Sequence, residues 1–404
     1  MKRKVIPVLI GLLLIVLILA GAAGVFLFQR YSGSKEEADL NAYFGLNGSQ
    51  EVAIVWNQEL TEEKGLLQDE RCYLKLDTVH EMLNERFYVD HNEKLLLYTL
   101  PEETVQIGIG EQTADGYTAA VEQNGDVWLA LDYVKQYSDF NYALYTEPNR
   151  VVLTTNWDTL QSAELKKNTA LRVRGGVKSE VLQNLEKGTK VTVLEEMENW
   201  DQVQTQDGYI GYVQKKHLTD PAEETPVKDT GYVEPDYTGN LRNHKIDLAW
   251  HQVTVESANS TFPGVMSGVT GVNVISPTWF YLNDNNGNLA NLASLDYVNY
   301  CHSQGIEVWG LFSNLENKDV DAASVLTHTS TRTTLINQIM SAAFNYELDG
   351  VNIDFENITK EAYGDSYIEF IRELAIKCHN NGISLSVDVT VPASYNKFFN
   401  RADM

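Results

Sequence analysis

Cysteine is scarce in this chain, and so is positive charge. Only three cysteines, Cys72, Cys301 and Cys378, occur among 404 residues. Three thiols cannot all pair within one chain, and their wide spacing excludes a compact zinc motif. They read as buried free thiols, with a Cys301–Cys378 bridge left open. Lys and Arg together number 31 against 56 Asp and Glu, a net charge of -25. That deficit excludes phosphate-backbone recognition, which needs a basic face, so nucleic acid is not an expected partner. The acidity itself reads as a well-solvated surface. Apolar material is plentiful at 43% of residues, enough for packed cores, and the length suits more than one domain.

One long uncharged run stands at the start. "MKRK" is followed by "VIPVLIGLLLIVLILAGAAGVFLF", from Val5 to Phe28. As a helix this run would be about 36 Å long, enough for the roughly 30 Å hydrocarbon core of a bilayer. Lys2, Arg3 and Lys4 would hold the N-terminus in the cytoplasm and send the rest of the chain outside. The expectation is an uncleaved signal-anchor over residues 1–30: a single-pass cell-membrane protein with its bulk extracytoplasmic. The alternative is a cleaved signal peptide with Ala20-Gly21-Ala22 as the small-residue cleavage site, although the apolar run is long for one.

After a polar stalk over 31–40, residues 41–158 read as an α+β module. A weak repeat runs through it. "YLKLDTVHEML" at Tyr73 is echoed by "WLALDYVKQYS" at Trp128, and each is followed by a hairpin pattern, "FYVDHNEKLLLYT" and "YALYTEPNRVVLTT". The module resembles the small domain named after the N-terminal region of copper amine oxidases, which implies a spacer or binding role. The name does not imply copper: His80 and His91 are not at ligand spacing. Residues 163–220 show short alternating strands, "LRVRGG", "VLQNLEKGTKVTVLEEMENWDQVQT" and "GYIGYVQKKHL", the pattern of a small β-barrel. Lys187-Gly188, Trp200 and Gly211-Tyr212-Val213 resemble the bacterial SH3-like domain, which implies binding to peptidoglycan peptides. Trp200 itself reads as a core or rim aromatic. Residues 221–242, rich in Pro and acidic side chains, read as a linker.

From His244 the rhythm becomes strand, helix, strand, helix. "KIDLAWHQV", "VNVISPTWFYL", "EVWGLFS", "GVNIDFEN" and "SLSVDVTVP" read as five strands, with helical runs following the second, third and fourth. Alternation of this kind predicts βαβ units and a parallel sheet. On the fourth strand Asn352, Asp354 and Glu356 fall on alternate residues and therefore share one face. Val351, Ile353 and Phe355 face the other way.

The run D-G-V-N-I-D-F-E, Asp349 to Glu356, resembles the D-G-x-D-x-D-x-E motif of glycoside hydrolase family 18, and is identified with its spore-cortex and cell-wall branch by Asn352, by Phe355, and by "ISPTWFYLN" and "SVDVTVPA". The resemblance implies an N-terminal part of a (β/α)8 TIM barrel over 243–404, in a multidomain chain that also holds the transmembrane helix, the α+β module and the small β-barrel. It implies Glu356 as proton donor and Asp354 as the group orienting the substrate acetamido, with Asn352 in place of the deepest aspartate. Cleavage would be substrate-assisted: the acetamido oxygen attacks the anomeric carbon. Asp388, in "SVDVTVPA", is a substrate-binding candidate. Trp279 can either stack on a sugar or pack in the core, and Trp309 belongs to the core. The implied partner is peptidoglycan or another N-acetylglucosamine glycan, chitin included. No metal or cofactor is called for.

A full barrel of this kind runs to about 250 residues. The family's sixth-strand Tyr-Asp pair and eighth-strand Trp have no counterpart in the sequence. The expectation is therefore the N-terminal part of a longer protein, or else a short form whose barrel has decayed. The competing function is a wall-binding scaffold or lectin without catalysis. The presence of Glu356 favours the enzyme.

Overall fold

The fold is taken from a computed structural model, which describes residues 2–237, 239–240, 242–392 and 398–403, with side chains from residue 10 onward. The side chains of Lys2, Arg3 and Lys4 lie outside the described residues, as does Ala393 of the "SVDVTVPA" run. The chain divides into two compact units: 1–83 with 128–232, and 84–127 with 233–404.

The first unit opens with helix α1 (Lys2–Tyr31), whose stretch Ile10–Tyr31 is long and apolar enough to cross a membrane. Beyond it, the strand Glu51–Trp56 pairs antiparallel with Glu59–Gln68 and parallel with Arg150–Thr154. The second sequence repeat supplies the hairpin Asn141–Tyr145 and Arg150–Thr154 to this sheet. A second sheet holds seven strands between Leu160 and Glu224. Its alternating positions Leu171, Leu182, Val191, Val203 and Val213 pack into one core with Phe44, Ala53 and Val55. Cys72 is buried and free in this unit, and Cys301 and Cys378 are buried and free in the other.

The second unit begins with the first repeat's hairpin. Strands β1 (Phe87–Asp90), β2 (Leu95–Thr99) and β3 (Thr104–Gly108) form a separate antiparallel sheet. The run 41–158, expected as one module, thus contributes its middle to the second unit and its flanks to the first.

The remainder is built on parallel strands β4 (Leu248–His251), β5 (Val274–Pro277), β6 (Phe280–Leu282), β8 (Glu307–Ser313), β9 (Gly350–Asp354) and β10 (Ser384–Val387), with the short β7 (Leu289–Asn291) antiparallel to β6. β5 pairs with the start of β8 and β6 with its end, so β5 and β6 are one strand broken at Thr278-Trp279. Counted that way, five parallel strands follow one another in chain order, each hydrogen-bonded to the next. Helices α2 (Leu295–Ser303), α3 (Thr329–Asn345) and α4 (Asp365–Asn380) connect the second strand to the fifth. In α4 the buried positions Tyr367, Phe370, Ile371, Leu374 and Cys378 recur at helical spacing, with Asp365 in the first turn and Lys377 in the last. Val351 and Ile353 of β9 lie in the same apolar cluster as Leu335 and Ile339 of α3 and Phe370 and Leu374 of α4. One face of the sheet is therefore committed to the core, and the other is free to carry polar groups.

Candidate active site

Strand register decides what the polar face carries. Asn352 lies beside Leu311 on one side and Ser386 on the other. Asp354 lies beside Ser313. The Asp388 amide donates to the Ile353 carbonyl at 2.8 Å, which continues the β9–β10 register and brings Asp388 alongside Asp354. The row from β9 and the row from β10 share one face.

The bottom of the row is structural. The Asp349 carboxylate accepts the Val308 amide at 2.8 Å and faces the His302 imidazole at 2.9 Å. At Gly350 a Cβ would come within 2.5 Å of the Trp309 ring, so this position needs glycine. Asn352, 1% exposed, donates through Nδ2 to Asp388 at 2.8 Å and accepts the Ser276 hydroxyl at 3.3 Å. Both ends of its amide are satisfied, as a buried polar group requires.

Above this layer the face opens into a cavity of about 800 Å³. Asp354, Glu356 and Asp388 line it, together with Trp250, Thr278, Tyr367 and Phe399. Burial pushes the Asp354 carboxyl up to about 6, with further contributions from the negative charges of Asp388, Glu356 and Glu316. Burial also raises Asp388, while hydrogen bonds from Asn352 and the Trp250 indole work against that rise. Glu356 is exposed at the rim. Its backbone is held at both ends by one side chain: its N–H donates to Asn314 Oδ1 at 2.9 Å, and its carbonyl accepts from Asn314 Nδ2 at 3.0 Å. The Tyr367 hydroxyl is buried without a hydrogen-bond partner, and burial raises its pKa.

Four of the five residues singled out in the sequence thus come together: Asn352, Asp354, Glu356 and Asp388. Trp279 does not join them. It is fully buried, donates to Asn259 at 2.8 Å and packs edge-on against Tyr297. The tryptophan that lines the cavity is Trp250, 60% exposed and next to last in β4. Sequence reading passed over Trp250, although it lies near the end of a strand at a position alternating with Leu248. Asn314 was also missed; its position one residue past β8 was the available signal. Among the described residues, no group of three or more His, Cys, Asp or Glu is placed to hold a metal ion.

Residues 167–219 match the bacterial SH3 domain family. Among solved structures, the chain is similar to a chitinase from Chromobacterium violaceum ATCC 12472, with 18% identity and a TM-score of 0.31, covering 38% of this chain and 49% of that one. It is also similar to the Bacillus cereus spore cortex-lytic enzyme SleL, with 17% identity and a TM-score of 0.33, covering 39% of this chain and 37% of that one. The chain spans less than half the length of either structure. No curated protein matches the chain.

Proposed function

We propose that this chain carries the acid-bearing part of a glycoside hydrolase of family 18 type, acting outside the cytoplasm on N-acetylglucosamine-containing wall glycans. One observation carries the reading: Glu356 stands at the rim of a cavity whose wall places Asp354 and Asp388 behind it. Asp354, Phe355 and Glu356, which line this wall, are the end of the motif.

In this reading Glu356 protonates the leaving glycosidic oxygen. An exposed carboxyl on a clamped backbone can reach an incoming sugar, and Asn314 fixes where it starts from. Asp354 orients the substrate acetamido group, whose oxygen attacks the anomeric carbon in place of an enzyme nucleophile. Its carboxylate then faces the positive charge of the oxazolinium. The Trp250 indole offers an apolar face on which a sugar ring can stack. The sheet would form the first five strands of a (β/α)8 barrel, with the site at the C-terminal ends of its strands. The SH3 domain and the apolar helix would hold this site in the wall next to the membrane.

The test is hydrolysis of N-acetylglucosamine oligomers by the product of the complete gene. Glu356→Gln keeps size and hydrogen bonding but removes the acidic proton, so turnover should fall by about 10²–10⁴-fold with oligosaccharide binding retained. Undiminished turnover in that variant would remove Glu356 as the proton donor and the reading with it.

A further inference from the structure

We propose that Asp388 supplies the second carboxylate of this site, so that Asp354 and Asp388 hold a single proton between them in mildly acidic solution, Asp388 keeping the negative charge and Asp354 the proton. The inference concerns the cavity already described. Its meaning for catalysis rests on the glycosidase reading, but the proton equilibrium does not.

The geometry begins with Asn352. A carboxylate at that position would sit directly beneath Asp354 on the same strand face. The amide brings no charge there, and its Nδ2 is committed to Asp388 at 2.8 Å. The second negative charge is therefore displaced from β9 to β10, one strand over and level with Asp354. Adjacent strands lie about 4.8 Å apart, and two carboxyls carried side by side on a half-buried wall resist double ionisation. Which of the two keeps the charge follows from the donors. Asp388 receives the Asn352 amide and the Trp250 indole N–H, both of which favour its ionised form. No hydrogen-bond donor is directed at the Asp354 carboxyl among the described residues, and it faces carboxylates on three sides: Asp388 from β10, Glu356 from its own strand end, and Glu316 from the segment after β8. Among the described residues, the remaining titratable group against the pair is Tyr367 of α4, which stays neutral. Asp354 is thus the member that takes a proton from water as the pH falls.

The consequence is a site whose charge responds to its occupant. A positive charge developing beside Asp354 replaces repulsion with attraction, and the proton then leaves to solvent. Asp388 acts through Asp354 and is a positioning residue in this scheme.

The experiment is a titration of the full chain in detergent micelles, labelled with 13Cγ-aspartate and followed by NMR from pH 4 to 8. Asp354→Asn identifies the Asp354 signal by its loss. In Asp388→Asn the Asp354 midpoint should fall by about one pH unit or more. In Asp354→Asn the Asp388 midpoint should stay where it is, because Asp388 ionises while Asp354 is still protonated and Asn is neutral as well. A purely structural role for Asp388 would leave the Asp354 midpoint where it is, and an unmoved Asp354 midpoint in folded Asp388→Asn overturns the proposal. If Asp388→Asn loses the dispersed spectrum of the folded chain, the parent chain decides alone: the Asp388 signal should show a second step at the Asp354 midpoint, and a single step is the negative result. A lowered Asp354 midpoint in Asp388→Asn without any hydrolysis by the complete gene product would sink the glycosidase reading and leave the shared proton standing. Hydrolysis with independent titrations would do the reverse.

Discussion

At the scale of single residues, the motif Asp349–Glu356 divides into a lower part that builds and an upper part that reacts. Asp349 ties β9 to β8, Gly350 makes room for Trp309, and Asn352 fills the layer between Ser276 and Asp388. Asp354 is where structure and reactivity conflict. A carboxyl whose native pKa is raised to about 6 binds more protons folded than unfolded. Its contribution to stability is complete below its ordinary value near 4 and is lost as the pH rises through 6. Asp354→Asn should therefore match the parent chain at pH 4 and exceed it at pH 7.5 by on the order of 1 kcal/mol, a figure reduced from the full linkage because the group is partly solvated. Thermal unfolding of the two chains at both pH values measures this, and a difference that does not change with pH would contradict the raised pKa. The alternation of Asn352, Asp354 and Glu356 was legible in the sequence because side-chain direction on a strand has a period of two. Trp279 stands at the break between β5 and β6, where that rule does not apply, and the core takes it up against Tyr297.

At the scale of elements, helix α3 shows what pattern alone does not reveal. Its N-cap residue His328 makes no side-chain cap. The cap comes from Asp90 at the end of β1, 239 residues away, whose carboxylate accepts the Thr329 amide at 2.6 Å and its hydroxyl at 2.7 Å. The same carboxylate accepts the Asn92 and Glu93 amides at 2.9 Å each. Nearby, the fully buried Arg332 of α3 pairs with Glu373 of α4 at 3.2 Å and donates to the Leu326 carbonyl at 2.8 Å. Thr99 of β2 donates to the buried Glu369 of α4 at 2.6 Å. The hairpin is thus bonded into the helices behind the strand that carries the site. Asp90→Ala removes a cap and leaves buried donors unpaired, and it should cost about 2–4 kcal/mol in the stability of this unit. Differential scanning calorimetry of the whole chain would resolve that loss; a change below about 0.5 kcal/mol would show that the contact is incidental. The hairpin was readable from its alternation and its Asp-His-Asn turn. Its destination was not, because a buried carboxylate and a distant helix N-terminus leave no shared local signal.

At the scale of the whole molecule, a helix suited to a membrane, a bacterial SH3 domain and a parallel sheet bearing a carboxyl-lined cavity occur in one chain. If α1 anchors the chain, a reporter fused after Gly33 should be extracytoplasmic and should sediment with membranes; a freely secreted reporter would identify α1 as a cleaved signal sequence. The sequence by itself determined the local periodicities: the apolar run, the SH3 pattern, the βα alternation and the row of polar groups on the fourth strand. These are set by neighbours a few residues apart, where helix and strand geometry act directly. Only the tertiary structure decided which side chains complete the cavity and which segment supports it. Asp388 meets Asp354 through strand register, Trp250 reaches the cavity from β4, Asn314 clamps Glu356 from just past β8, and residues 84–127 join the second unit. Each of these depends on long-range packing, in which a residue's partner is chosen by complementary burial and hydrogen bonding and not by its distance along the chain.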